Sequence, residues 1–466
     1  MERFSGQDAS FLYMETPSVH MHTLKVAVID LPAQIPYADV FDLVRVSMES
    51  KLHLVPRLRL RPVEVPGGLH HPMWVKDPHF NIGRHLYRSK IASPGAQREM
   101  DQAIAEIASI QLPRDRPLWE TWLLEGLADG GIVLVTKIHH SLADGVASAN
   151  MLAKVMTLEP DQNDLNAPNP PWVPDPIPSG RKLLVDAVRA QRVQLGMIGP
   201  LMHRTVKGSV SVLKNLKHRA IDVPYPFVTP RTVFNRTLSP QRSFATTSLP
   251  VAELKAVKNA AHVTLNDVVL ATVAGALDRF FESRGETLSK PLIASVPMAV
   301  GSPEDAPREA GNRVANLFTS LCNDVRDPLE RLHKIHAVTT QSKEVQRQLG
   351  IETMLDWSEA APAVAYRWAL GAFSQSGLSD VLPPAANLIV SNVRGPDHPL
   401  FVAGARLRTI YSVGPAVEGI GLNITGWSYC GDVAFALIAD AAAISDPHCI
   451  TNAMRPALDD LIRATL

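Results

Sequence analysis

The chain has 466 residues, which is long enough for two domains that each carry a core. Apolar residues make up 46% and charged residues 20%, and 46 Lys and Arg balance 46 Asp and Glu. This is ordinary for a globular enzyme and gives no general attraction to nucleic acid. The N-terminus lacks a leader-like pattern, and no apolar run approaches the roughly 18 residues that cross a bilayer. The three cysteines lack C-x-x-C spacing, so they fit a reduced, intracellular chain without a disulfide framework or zinc site.

The first part of the chain, residues 1–158, mixes strand and helix patterns. Strands are predicted at residues 22–29 and 131–138, and helices at residues 97–110 and 144–156. The sequence HHSLADG follows the second strand, at residues 139–145. Because side chains alternate faces along a strand, His139 and His140 should point opposite ways, and only one can face a given active site.

Three chemistries are open for this motif. His140 can act as a general base, because an imidazole with an ordinary pKa near 6.5 is largely neutral at cell pH. His139, His140 and Asp144 can bind a metal, although no further ligands with matching spacing stand out. Both histidines can instead be structural, satisfied by backbone carbonyls. A serine nucleophile is not indicated, because the chain has no G-x-S-x-G segment.

The middle of the chain has two unusual segments. Residues 159–180 are rich in proline, which predicts an extended linker on the surface. Residues 181–220 contain nine basic residues and one acidic residue, with apolar residues at roughly helical spacing. We expect Gly196, Gly199 with Pro200, and Gly208 to break this segment into pieces. Such a basic amphipathic segment can lie on an anionic membrane, or it can be a solvated pair of helices between domains.

A second α/β half follows from residue 227. Residues 264–267 have N-cap character before a long apolar helix. The predicted helices are residues 251–261, 268–281, 329–348, 362–373 and 446–466, and the predicted strands are residues 292–297, 387–392, 407–413, 421–427 and 433–438.

Several motifs resemble one family. HHSLADG matches the HHxxxDG motif of coenzyme A-dependent acyltransferases of the chloramphenicol acetyltransferase-like fold, a motif shared with peptide condensation domains. The remaining segments resemble bacterial wax ester synthase/diacylglycerol acyltransferases, in the expected order over essentially the whole chain. These segments are DASFL at 8–12, ETP at 15–17, the PLW motif Pro117, Leu118 and Trp119, the ND motif Asn266 and Asp267, and SNVRGP at 391–396.

The resemblance implies an architecture. It implies an α/β fold of two chloramphenicol acetyltransferase-like domains, each a mixed sheet flanked by helices, with an active-site tunnel between them. The domains would cover residues 1–158 and 227–466, joined by the linker and basic segment at 159–226. These boundaries are loose, because strands can exchange between the halves.

The resemblance also implies a reaction and its partners. A long-chain acyl-CoA would acylate diacylglycerol, giving triacylglycerol, or a long-chain alcohol, giving a wax ester. His140 would be the general base, with no covalent acyl-enzyme, no metal and no cofactor besides the coenzyme A thioester. Membrane or lipid-droplet association would be peripheral, in an intracellular, cytoplasmic protein without a nucleic-acid partner. The alternatives are a condensation-type enzyme that uses a carrier-protein thioester and a non-catalytic lipid-binding or droplet protein.

Roles for the other motif residues follow from the same resemblance. Asp144 would hold the loop and orient the imidazole through a basic partner, and His139 would support it. Gly145 would allow close backbone approach at the helix start. Asn266 is either an oxyanion donor or, with Asp267, part of an N-cap. Two further roles complete the assignment: Arg394 would meet a coenzyme A phosphate or brace a turn, and Pro117, Leu118 and Trp119 would pack the core or shape the acyl channel.

Overall fold

Two six-stranded mixed sheets form the framework of the protein, in a computed structural model that describes residues 1–31, 40–160, 171–218, 228–299, 311–349 and 351–466. The strands are β1 (Glu2–Arg3), β2 (His22–Asp30), β3 (Leu60–Val63), β4 (Met73–Lys76), β5 (Leu86–Lys90), β6 (Trp119–Glu125), β7 (Ile132–His139), β8 (Arg242–Pro250), β9 (Ile293–Ala299), β10 (Val314–Ser320), β11 (Leu388–Arg394), β12 (Phe401–Val402), β13 (Ala405–Val413), β14 (Leu422–Tyr429) and β15 (Asp432–Asp440). The helices are α1 (Gly6–Met14), α2 (Val40–Lys51), α3 (Gln97–Ala108), α4 (Gly145–Val155), α5 (Gly180–His218), α6 (Val251–Ala260), α7 (Leu265–Ser283), α8 (Pro328–Leu349), α9 (Ile351–Ala360), α10 (Ala363–Gln375) and α11 (His448–Thr465). These bounds confirm every strand and helix predicted for the two halves of the chain.

The sheets combine antiparallel and parallel pairs. The first sheet has the order β12-β13-β2-β7-β6-β5, and the second has the order β10-β9-β11-β14-β15-β8. Only the pairs β5–β6, β9–β11 and β11–β14 run parallel among the paired strands of these two sheets. Helices cover the sheets, as predicted for the α/β class, and three further strands form a small separate sheet of order β1-β4-β3.

The first sheet draws strands from both ends of the chain. β12 and β13 come from the second half of the sequence, yet β13 pairs with β2 from Arg406↔Asp30 to Val413↔Leu24. The division into residues 1–158 and 227–466 is therefore not a division between the two sheets. Exchange of strands between the halves is the reason why the predicted domain boundaries are loose.

The helix α7 shows why the second core forms where it does. Thr264 caps the helix, its side chain accepting from the Asp267 backbone while Asp267 accepts from the Thr264 backbone. Such a capping box satisfies two N–H groups that the first turn leaves without intrahelical partners. Behind the cap, a nearly unbroken apolar run from 268 to 277 is buried against the second sheet and α11.

The basic segment forms one continuous helix, so the predicted breaks at Gly196, Gly199 with Pro200, and Gly208 are wrong. α5 runs from Gly180 to His218 with Pro200 inside it. Its inner face is buried at Leu183 and Leu201, and Gln194 donates from its side chain to the Glu359 carbonyl at 2.7 Å. This packing outweighs the weak helix propensity of glycine and proline. Residues 219–226 lie outside the described residues. Of the predicted linker, residues 161–170 also lie outside them, and residues 171–179 form neither helix nor strand.

Within the described ranges, no single helix is both long and apolar enough to cross a membrane. The pair α6 and α7 meets the length and composition criteria only jointly, and the two helices are bent by 105°. Most of α7 is buried in the second core, which accounts for its apolar composition.

Candidate active site

His140 lies one residue beyond the end of β7, where the chain turns toward α4. Its backbone N–H donates to the Met21 carbonyl at 2.7 Å, so the turn is tied to the start of β2. Its ring stacks on Phe11 of α1, with ring centroids 4.1 Å apart and planes at 22°. The side chain remains partly exposed, and its Nε2 makes no hydrogen bond to the described part of the chain.

Asn312 determines which nitrogen of His140 carries the proton. Its Nδ2 donates to Asp8 Oδ1 and to the His140 carbonyl, both at 2.7 Å. With its NH₂ group facing two acceptors, the amide must present Oδ1 to His140 Nδ1, 2.9 Å away. Since Oδ1 can only accept, the proton sits on Nδ1 and the lone pair on Nε2 is free. The network thus prepares His140 to receive a proton.

The charge state of His140 agrees with that role. Burial lowers the pKa of His140 to about 4, while the charge of Asp144 and the hydrogen bond to Asn312 oppose the shift. The ring is therefore neutral at cell pH, as a base must be. Burial likewise raises the pKa of Asp8 to about 6, against opposing hydrogen bonds from Asn312 and Ser5.

Asp144 fixes the loop between the histidines and the second half of the chain. Its Oδ1 accepts from the Ala147 N–H at 2.9 Å and caps α4, and its Oδ2 accepts from the Arg313 N–H at 3.1 Å. The basic partner that we predicted for Asp144 stays a prediction, although the charge of Asp144 opposes the lowering of the Lys25 pKa that burial causes. The backbone N–H of Arg313 is one of its direct partners, and this contact places the neighbouring Asn312 beside the motif.

His139 points to the other face of the sheet and is fully buried. Its Nδ1 accepts from the Ser141 N–H at 3.1 Å, so its proton lies on Nε2, 3.5 Å from Glu15 Oε1. Glu15 also binds Arg114 at 2.7 Å. Burial alone would raise the pKa of Glu15, but His139 and Arg114 hold it well below its usual range. His139 is thus held in place within the packed interior, with its Nε2 buried beside Glu15 and without a hydrogen-bond partner in the described part of the chain, whereas the His140 ring remains partly exposed.

Gly145 is less constrained than predicted. A Cβ placed on Gly145 would lie 3.8 Å from Val393 Cγ2, an ordinary contact. No part of the folded chain therefore approaches Gly145 so closely that a glycine is required there.

The PLW motif does pack the core: Leu118 and Trp119 are buried, and Trp119 Nε1 donates to the Leu58 carbonyl at 2.7 Å. Leu118 also accepts from the His139 N–H at 2.9 Å, so the motif supports the end of β7.

The remaining motif residues lie in structural settings. Asp267 accepts hydrogen bonds from Thr264, from His336 Nδ1 at 2.7 Å and from Thr339 at 2.8 Å. Burial alone would raise the pKa of Asp267, but these hydrogen bonds lower it. This is the N-cap role that we predicted as one alternative for the ND motif, and its neighbour Asn266 is half-buried in the first turn of α7.

Arg394 lies at the end of β11 with its side chain 87% exposed, 3.8 Å from Asp397. It reaches solvent, and its predicted phosphate contact stays a prediction. No cluster of three or more His, Cys, Asp or Glu side chains within the described ranges is placed to hold a metal ion.

An apolar cavity of about 110 Å³ lies against the first sheet on the face to which His140 belongs by strand alternation. Ile138, Thr136 and Leu134 of β7 line it, with α2 and α4 on the opposite wall. Trp119 of the PLW motif also lines it, and its predicted role in shaping an acyl channel stays a prediction. A tunnel open at both ends between the two halves stays a prediction.

The sequence interpretation missed Asn312 as a functional residue. No motif marked it, because it acts through contacts 172 and 304 residues away along the chain. A signal did exist for other residues of the site, since Asp8, Phe11 and Glu15 fall in the N-terminal segments quoted for the family resemblance. Their roles beside His139 and His140 follow only from the fold.

Comparison with known proteins gives a consistent result over the whole chain. The sequence profile described as "wax ester synthase/diacylglycerol acyltransferase catalytic domain" matches residues 4–269, and that of the "WS/DGAT C-terminal domain" matches residues 310–462. A Mycobacterium tuberculosis protein of strain H37Rv, provisionally named a diacylglycerol O-acyltransferase, is 39% identical over 459 residues, covering 97% of this chain and 94% of its own. A second protein of that strain with the same provisional name is 35% identical over 468 residues, covering 100% and 98%.

Solved structures agree with these matches. The wax ester synthase/diacylglycerol acyltransferase from Marinobacter aquaeolei VT8 is 26% identical, with a TM-score of 0.69 and full coverage of both chains. The first condensation domain of the calcium-dependent antibiotic synthetase, at 14% identity and a TM-score of 0.57, shares the fold alone. Nothing in these matches favours a carrier-protein reaction or a non-catalytic lipid protein.

Proposed function

The chain belongs to the wax ester synthase/diacylglycerol acyltransferase family, and we propose that His140 is the general base of its reaction. The protein is an acyl-CoA-dependent acyltransferase. The observation that carries the proposed role is the free Nε2 of His140, left unprotonated by the hydrogen bond between Nδ1 and Asn312.

The proposed reaction uses the same imidazole twice. His140 Nε2 takes the proton from the acceptor hydroxyl as its oxygen attacks the thioester carbonyl. The tetrahedral oxyanion collapses, the carbon–sulfur bond breaks, and the imidazolium returns the proton to the departing coenzyme A thiolate. The ester product and coenzyme A then leave, His140 is neutral again, and no covalent acyl-enzyme is formed.

The proposed substrates are a long-chain acyl-CoA and either diacylglycerol or a long-chain alcohol. An apolar cavity on the His140 face of the sheet suits a hydrocarbon chain, because each buried methylene contributes about 0.8 kcal/mol. We further propose that no resident metal or cofactor takes part, since a thioester is already activated for acyl transfer. Turnover should therefore survive dialysis against a chelator.

The test of the proposed base is coenzyme A release from palmitoyl-CoA, with diacylglycerol and hexadecanol offered in competition and the esters separated by thin-layer chromatography. His140→Ala should lower kcat at least about 10²-fold, the usual contribution of a general base. His398→Ala removes an exposed histidine and serves as the matched control. Equal rates for parent and His140→Ala, with both proteins folded, would remove the assignment.

We also propose that α5 is the peripheral contact with a membrane or lipid-droplet surface. Its outer face carries Val188, Leu195 and Met202, spaced by seven residues, and all three are at least 48% exposed. Exposed basic residues, among them Arg189 and Arg192, flank this apolar stripe. Such a helix inserts its apolar side chains at the headgroup boundary while cations meet anionic lipid. Because diacylglycerol and long-chain alcohols reside in lipid, this contact would bring the protein to its acceptor from the cytoplasm.

Flotation with phosphatidylcholine vesicles containing phosphatidylglycerol tests this surface. Leu195→Gln should weaken binding about tenfold, because it removes a large apolar side chain from the lipid boundary. Val381→Gln, which changes an apolar residue off α5 that is even more exposed than Leu195, is the control. If Leu195→Gln binds as the parent does at low and high salt, α5 is not the contact.

A further inference from the structure

The apolar cavity beside β7 is crossed by a row of polar side chains. Lys25 of β2 pairs with Thr136 of β7, which pairs in turn with Thr121 of β6, while Ser412 of β13 pairs with Lys25 on the other side. Directly paired residues of antiparallel strands present their side chains on the same face. Thr121, Thr136 and Lys25 all line the cavity, so the polar row runs along its wall.

On either side of this row, the side chains that the first sheet contributes to the cavity wall are apolar. Toward His140, the neighbouring row holds Trp119 and Ile138, and away from His140 it holds Leu134, Ala27 and Ile410. The polar row begins three residues before β7 ends at His139, roughly 10 Å along the strand. A chain that starts at His140 and follows the sheet therefore meets hydrocarbon, then polar groups, then hydrocarbon again.

Lys25 is the strongest polar group of this row. It is 3% exposed, and within the described part of the chain its ammonium makes one hydrogen bond, to Ser412 Oγ at 2.6 Å. Its charge also lies over the Trp427 ring, 4.8 Å from the centroid. An ammonium has three N–H donors, so this arrangement leaves donors for an acceptor in the cavity. Burial lowers the pKa of Lys25 to about 8, against the charge of Asp144, so it remains largely protonated near neutral pH.

The helical wall of the cavity also carries polar side chains. Ser47 of α2 and Ser148 of α4 line the cavity. Ser148 is 1% exposed, and its Oγ has no hydrogen-bond partner in the described part of the chain. Leaving a buried hydroxyl without a hydrogen-bond partner lowers the stability of the folded protein. A serine hydroxyl can rotate, so it can donate to a ligand oxygen or accept from a ligand hydroxyl. A cavity that served only an unsubstituted alkyl chain would require neither this hydroxyl nor the ammonium.

We propose that this cavity binds an alkyl chain that carries a hydroxyl or keto oxygen partway along its length, with Lys25 and Ser148 as the groups that bind this oxygen. This inference rests on the proposed function, because it makes the chain part of the acyl donor or of the acceptor. An oxygen within the chain fits better than a terminal carboxylate, because the cavity continues beyond the polar row as Leu134, Ala27 and Ile410. A carboxylate held at Lys25 would leave that inner part empty.

A binding measurement separates this inference from catalysis. Displacement of a fluorescent fatty acid from the full-length protein should require about tenfold less mid-chain hydroxystearic acid than stearic acid. In Lys25→Met the preference should disappear or reverse, whereas Lys90→Met, the same change at an exposed lysine of β5, should keep it. Ser148→Ala changes one oxygen only and should reduce the preference even if Lys25→Met fails to fold.

Two outcomes overturn the inference: equal affinity of the parent for both acids, or equal loss of both affinities in Lys25→Met and Ser148→Ala. Turnover then identifies the substrate, by comparing hydroxystearoyl-CoA with stearoyl-CoA as donors and a mid-chain diol with octadecanol as acceptors. If no acyl-CoA of either kind is turned over, the proposed function fails, whatever the displacement result. If stearoyl-CoA is used and hydroxystearic acid has no binding advantage, the further inference alone fails.

Discussion

Replacing Asn312 by alanine removes the group that holds the proton of His140 on Nδ1. The substitution deletes the acceptor 2.9 Å from Nδ1 and the donor shared by Asp8 and the His140 carbonyl. A single hydrogen bond contributes about 1 kcal/mol, and a buried polar group left without its partner costs about 1–3 kcal/mol. We therefore expect a loss of about 2 kcal/mol in transition-state stabilisation, a factor of about 30 in kcat/KM.

The assay is coenzyme A release with palmitoyl-CoA and hexadecanol, followed from pH 4 to pH 8. Asn316→Ala, an exposed position four residues further on in β10, is the matched control. Full activity of Asn312→Ala, with a folded protein and the parent pH profile, would refute the assignment of this amide as the group that positions His140.

A second variant distinguishes positioning from general loss of structure. Asn312→Asp keeps an acceptor for Nδ1–H but places a carboxylate beside the imidazole, which favours the charged form. The acidic limb of kcat/KM, expected near pH 4 in the parent, should therefore move upward. A purely structural role for Asn312 would lower activity without moving this limb.

Three further predictions concern folding. Asp267→Asn should lower the free energy of unfolding by about 1–2 kcal/mol in urea titration, because it weakens the cap of α7 without touching His140. Gly395→Ala should prevent stable folding, since a Cβ there overlaps the Ser428 carbonyl oxygen, whereas Gly145→Ala should keep the parent Tm. Burial holds the pKa of His71 at about 3 and that of His85 at about 4. The unfolded chain thus binds more protons below about pH 6.5, and each histidine should lower the free energy of unfolding by about 1 kcal/mol at about pH 5.5. A Tm that does not change between pH 7 and that value would contradict this account.

The sequence predicted best those helices and strands that are determined by a local residue pattern. β7 and α7 follow from an apolar run and from a capping box, and both signals lie within a few residues of the element they define. The continuity of α5 did not follow, because the packing of Leu183 and Leu201 on distant elements outweighs its glycines and proline. Local rules fail where the free energy comes from contacts far away in the chain.

The same distinction explains the candidate site. His140 could be identified from its motif, but the state of its ring could not, because that state depends on an amide 172 residues away. The motif also left its two histidines equivalent in chemistry. Ser141 binds one nitrogen of the His139 ring, and Glu15 lies 3.5 Å from the other inside the packed interior, whereas Nε2 of His140 belongs to a ring that remains partly exposed.

The proposed general base therefore depends on both halves of the fold together. Asp8 comes from α1, His140 from the end of β7, and Asn312 from the segment before β10. Burying Asp8 is unfavourable for its charged form, as its raised pKa indicates, yet its carboxylate orients Asn312. Because Asn312 reaches Asp8 and His140 only when α1 and β10 are both in place, the first half alone would present the HHxxxDG motif without a fixed tautomer. The motif provides the imidazole, and the tertiary contacts make Nε2 the basic nitrogen.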